Sequence, residues 1–123
     1  MKEVIAIIRP KRVGATRQAL ENLGFPSQTA EAVLGRGRQR GLVGEVDVEI
    51  PPDVLARGRA GGMKYVPKRM LTLVVGDEEV ETVIQAIVQV NQSGRIGDGK
   101  IFVSPIDDAL RVRTDETGES AIA

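Results

Sequence analysis

Residues 70–105 read MLTLVVGDEEVETVIQAIVQVNQSGRIGDGKIFVSP, and this stretch decides the fold. Met70 to Val75 is a short, almost wholly apolar run, the pattern of a buried strand. Asp77 is placed to cap a helix, with Glu78 and Glu79 complementing the helix dipole. Val80, Val83, Ile84, Ile87 and Val88 then fall on one helical face. Gly94 is the expected stop, and Lys100 to Pro105 reads as a second strand. The stretch is therefore strand–helix–strand.

The N-terminal part repeats that order. Val4 to Ile8 is β-branched except at Ala6 and reads as a strand. Pro10 suits the first turn of a helix, where a missing N–H costs nothing. Val13, Thr16, Leu20 and Leu23 recur at helical spacing before Gly24, and Phe25 to Val33 is expected to form a strand interrupted early by Pro26. Leu110 to Arg113 reads as a short final strand. The polar tail, residues 114–123, is expected to be mobile when unbound. Between the halves lies a stretch without sustained period, with a long loop expected at 42–66; long loops in small domains are commonly functional. Its charges are segregated: Glu45, Asp47, Glu49 and Asp53 come first, then Arg57, Arg59, Lys64, Lys68 and Arg69. The expected architecture is one α+β domain over residues 1–123, a ferredoxin-like double βαβ sandwich with both helices on one face of an antiparallel sheet. The strands are apolar on both sides, so other subunits are expected to cover the second face.

Composition excludes several functions. The chain has 17 basic and 17 acidic residues, whereas a general polyanion binder carries a basic excess. It has no Cys and no His, which removes disulfides, zinc sites built on those residues, and Cys–His or Ser–His nucleophile pairs. The N-terminal apolar run stops at Arg9 and Pro10, too early for a signal peptide or a membrane span. A soluble cytoplasmic protein, with no membrane insertion, is the expectation.

Four places carry candidate chemistry. In Gly97-Asp98-Gly99-Lys100, two glycines let backbone N–H groups approach a phosphate and Lys100 adds a charge; alone, the same residues read first as a tight turn between a helix and a strand. Arg36, Arg38 and Arg40 alternate with Gly37 and Gln39, so on a strand their side chains share one face and suit an oxyanion, or merely solvate a strand end. Arg111 and Arg113 form a similar pair, which could also protect an edge strand. Lys68 follows Pro67 at the far root of the loop; a lone lysine there is ordinarily a solubility residue. Meeting across a subunit boundary, Arg36, Arg38, Lys100, Arg111 and Arg113 would line a cleft suited to a nucleoside triphosphate.

Ser93-Gly94-Arg95-Ile96-Gly97-Asp98-Gly99-Lys100-Ile101-Phe102-Val103, followed by Ile106, resembles without a gap the C-terminal signature of the PII (GlnB/GlnK) family. Val33 to Gly41, Ile8-Arg9-Pro10, Arg111-Val112-Arg113-Thr114 and Gly118-Glu119 extend the resemblance over nearly the whole chain. It implies a trimer with nucleotide clefts between subunits. By that resemblance Thr29, Gly35, Gly37, Arg38 and Val74 line the adenosine and phosphate side of a cleft. Gly97, Asp98, Gly99 and Lys100 cradle phosphates, joined by Arg111 and Arg113 of the neighbour. Gln39 would ligate Mg²⁺ held by ATP and 2-oxoglutarate, and Lys68 would pair with the distal carboxylate of 2-oxoglutarate. ADP is the expected alternative nucleotide.

The long insert corresponds to the family's T-loop, but the usual modified tyrosine is absent and Tyr65 lies near the loop's end, so no uridylylation is expected. The loop flanks resemble the subgroup encoded with nitrogenase genes, and within it the second of two paralogues. That resemblance implies a regulator, not an enzyme, that reversibly inhibits dinitrogenase, as a homotrimer or in a hetero-oligomer with a paralogue. A regulator of an ammonium channel or of a nitrogen-assimilation enzyme is the nearest alternative. A small phosphoryl-transfer enzyme of the same fold is a more distant one. Scarce aromatics and zero net charge argue against an RNA-binding sheet, and no nucleic-acid partner is expected.

Overall fold

The computed structural model describes residues 1–36 and 65–123. In chain order they form β1 (Lys2–Ile8), a 3-10 turn (Pro10–Arg12), α1 (Val13–Asn22), β2 (Thr29–Gly35), β3 (Val66–Val75), a 3-10 turn (Asp77–Glu79), α2 (Val80–Asn91), β4 (Lys100–Pro105) and a short C-terminal helix, α3 (Glu119–Ile122). The four strands make one sheet in the order β2-β3-β1-β4, and every pair is antiparallel. This is the expected α+β ferredoxin-like arrangement.

Register follows from burial. Ala6 lies opposite both Leu71 and Ile101, and Val4 opposite Leu73 and Val103. Side chains alternate across a strand, so Val4, Ala6 and Ile8 face the helices with Leu71, Leu73 and Val75. Leu20 of α1 and Val83 and Ile87 of α2 close this core. A one-residue slip would turn the apolar set to the other face, which fixes the pairing. The two helices pack together. Their one buried polar link runs from Asn91 Nδ2 to Thr16 Oγ1 at 3.0 Å, and the same amide also donates to the Ile87 carbonyl at 2.8 Å.

Several boundaries depart from the sequence reading. β2 begins at Thr29 rather than Phe25, because residues 23–28 turn back on α1. Phe25 N–H donates to Leu20 O at 2.9 Å, and its ring packs against the core. β3 begins at Val66 rather than Met70, despite Pro67. There, among the described residues, β3 pairs only with β2, since β1 reaches no further than Arg69; proline is tolerated where one edge of a strand is unpaired.

Asp77 is not a helix cap. It lies inside a 3-10 turn with its carboxylate 3.0 Å from the N-terminal amine, and Glu79 instead reaches back to Gly76 N–H at 3.1 Å. α2 stops at Asn91, and Gly94, with a φ of 82°, turns the chain three residues later. Leu110 to Arg113 is not a strand: Leu110 makes one bridge, to Thr117, and a turn follows. The expected loop at 42–66 lies outside the described residues except for Tyr65 and Val66, and Val66 already belongs to β3.

The sheet face away from the helices carries Ile5, Ile7, Met70, Val74 and Phe102, the last half-exposed. Among the described residues no helix is long and apolar enough to cross a membrane.

Candidate functional site

The loop between α2 and β4 is built around one carboxylate. Asp98 Oδ2 accepts from the backbone N–H of Ser93 at 2.7 Å and of Gly94 at 3.0 Å. Its Oδ1 accepts from the Ser93 hydroxyl and from Arg9 Nη1, the latter at 2.6 Å. Burial alone would raise the Asp98 carboxyl; the bonds from Ser93, Arg9 and Gly94 outweigh it and hold the group far below the usual carboxylate range. Arg9, largely buried, also donates through Nη2 to the Ile96 carbonyl at 3.0 Å. Asp98 thus spends its charge inside the loop and not toward a ligand.

Two more contacts shape the loop. Lys68, buried on β3, donates from Nζ to the Gly97 carbonyl at 2.6 Å. Gly35 makes room for that lysine, because a Cβ there would lie 3.2 Å from Lys68 Cγ. Gly97 and Gly99 have φ values of 106° and 108°, which side-chain-bearing residues rarely adopt. The Gly97 amide donates to no other described residue, whereas the turn at Ile96 and Gly97 draws the Asp98 amide back toward the Arg95 carbonyl. Lys100 follows, exposed, opposite Ile7 at the start of β4. The result is a glycine-rich turn held by the Lys68 ammonium and followed by the exposed Lys100, a chemistry suited to an anion.

The candidates named from sequence fall into two groups within one chain. Gly35, Lys68, Gly97, Asp98, Gly99 and Lys100 gather at the start of β3 and β4. Thr29, Val74 and Arg111 line a separate groove of about 490 Å³ together with the chain's last three residues. Lys68 and Val74 are six residues apart on one strand, roughly 20 Å at strand rise. Thr29 and Val74 therefore sit with Arg111, not with Gly35. Arg111 donates to Glu116 Oε1 at 2.9 Å, to the Ser120 carbonyl at 3.2 Å and to the Ala123 carbonyl at 2.8 Å. Arg113 is exposed and makes no side-chain hydrogen bond or ion pair among the described residues. Gly37, Arg38, Gln39 and Arg40 lie outside the described residues; Arg36, exposed, is the last one before them.

Arg9 is the functional candidate that sequence reasoning missed. Ile8-Arg9-Pro10 was visible as a motif, but nothing in it showed that Arg9 reaches a loop 89 residues away.

The chain belongs to the nitrogen regulatory protein P-II family, whose model matches residues 1–116. It is similar to the nitrogen fixation nifHD region GlnB-like protein 2 of Methanobacterium ivanovii, at 57% identity over 99% of both chains. The protein of the same description from Methanococcus maripaludis is 54% identical, over 99% of this chain and all of that one. Among solved structures, PII of Arabidopsis thaliana bound to citrate matches with a TM-score of 0.74 and 35% identity, covering 98% of this chain and 88% of that one.

Proposed function

We propose that this chain is a PII-type signalling protein that binds ATP or ADP, Mg²⁺ and 2-oxoglutarate in clefts between the subunits of a cytoplasmic trimer. Through its 42–66 loop it would inhibit dinitrogenase reversibly. It acts by binding and not by turnover. The observation that carries this reading is the contact of Lys68 with the Gly97 carbonyl, which puts an ammonium group beside the glycine turn.

The two residue groups sit at opposite ends of β3 and complete each other only if a neighbouring chain brings its Thr29, Val74, Arg111 and Arg113 to this chain's turn. The apolar sheet face supports such an assembly, since Ile5, Ile7 and Phe102 gain from being covered. A homotrimer satisfies this, and so does a mixed assembly with a paralogue.

A magnesium ion in this site would be borne by phosphates. Magnesium takes oxygen ligands and is usually held by phosphates with few protein groups. Asp98 is already engaged by four donors, and no described cluster of three acidic side chains offers an alternative. Gln39 is the residue that would add a side-chain oxygen. When bound, the ion supplies a shared anchor for triphosphate and keto acid. Lys68 carries the positive charge with which a distal carboxylate would pair, next to the Gly97 carbonyl that it holds. Loop shape then depends on the effector through differential contacts at its two roots. The descriptions of the relatives from the nifHD region favour a target in nitrogen fixation.

Acetylene reduction by purified dinitrogenase tests the target. The protein should depress it, and ATP·Mg²⁺ with 2-oxoglutarate should restore it. Undiminished reduction, together with capture of an ammonium channel from membranes, would move the protein to the channel-regulating branch.

A further inference from the structure

We infer that Arg9 is a positioning residue for the phosphate turn: through Asp98 and the Ile96 carbonyl it holds residues 93–98 in the shape that presents the glycine turn to a ligand. This deepens the proposed nucleotide reading and rests on it for the identity of the ligand.

Arg9 directly follows β1 and precedes Pro10, which opens the 3-10 turn. Its guanidinium makes two bonds into the loop, at 2.6 Å to Asp98 and 3.0 Å to Ile96. Asp98 passes that restraint to the opposite end of the loop by accepting from Ser93 and Gly94. The loop is thereby drawn into a ring closed by one carboxylate.

The arrangement also settles a charge conflict. An aspartate within a phosphate turn would repel a triphosphate. Here Arg9 pairs with it and turns it inward, while Lys100 and the lysine bonded to Gly97 stay beside the turn. A planar two-pronged donor is needed to hold a carboxylate and a carbonyl at once. An ammonium at the same place is a point charge on a shorter reach.

The test compares wild type, Arg9→Met, Arg9→Lys and Asp98→Asn by ATP·Mg²⁺ titration, thermal melting and hydrogen exchange of the Ser93 and Gly94 amides. Arg9→Met should weaken ATP about tenfold or more, the loss expected for hydrogen bonds to a charged group. The two amides should exchange faster, and Arg9→Lys should recover part of both losses, with melting used to confirm that each variant is folded. ATP binding within twofold of wild type, with unchanged exchange, would overturn the inference. So would weakened ATP with unchanged exchange, since Arg9 would then touch the ligand itself. If the wild type binds no ATP, the nucleotide reading fails, and the exchange comparison alone decides the role of Arg9. Should Arg9→Met not fold, Arg9→Lys and Asp98→Asn carry the same comparison.

Discussion

A Cβ added to Gly99 would lie 1.8 Å from the carbonyl oxygen of Ile7. The turn is thus pressed against the backbone of β1 with no space for any side chain, and its φ of 108° is itself unfavourable for other residues. Gly99→Ala must push the turn away from β1 or break the pairing of Ile7 with Lys100. We expect a loss of about 1–3 kcal/mol or more in urea unfolding, together with loss of nucleotide binding. An alanine variant that melts and binds ATP like wild type would contradict the packing described.

Lys68 links the root of β3 to the same turn. Lys68→Ala should lose 2-oxoglutarate far more than ATP, because the nucleotide keeps the turn's amides and Lys100. Titration of both ligands checks this, and equal losses would remove Lys68 from the keto-acid site.

The Asp98 carboxyl is held low in the folded chain. A depressed folded value gives stability that is present above the unfolded pKa, about 3.9, and lost as pH falls toward the folded value. The stability gap between wild type and Asp98→Asn should therefore be constant above about pH 5 and shrink below about pH 4. Denaturation midpoints between pH 7 and pH 2.5 report it, and a gap that is flat throughout would show that the bonds do not require the charge.

Arg111 gathers the tail by donating to Glu116 and to the carbonyls of Ser120 and Ala123. Arg111→Ala should free α3, seen as faster exchange over residues 119–123, with little change in melting because the core is elsewhere. Unchanged exchange would mean that the tail is held by its packing alone.

Much of this architecture was legible from periodicity. The stripe from Val80 to Val88 and the run from Val4 to Ile8 gave α2 and β1 because each buries one regular face. Boundaries failed where tertiary contacts overrode local signals. Phe25 joined the core instead of a strand, Pro67 sat beyond the reach of β1, and Asp77 found the N-terminal amine instead of a helix cap. The glycine turn was legible from Gly97-Asp98-Gly99-Lys100. Two relations were not: Arg9 with Asp98 spans 89 positions, and Thr29 and Val74 meet Arg111 only through the path of the tail. No local pattern encodes contacts of that range.

Calorimetric titration with 2-oxoglutarate, with and without saturating ATP·Mg²⁺, tests the sensing scheme most directly. Measurable keto-acid binding only in the presence of the nucleotide and its ion is the expected result. Equal binding to the nucleotide-free protein would contradict the shared-anchor account and leave Gln39 without its role.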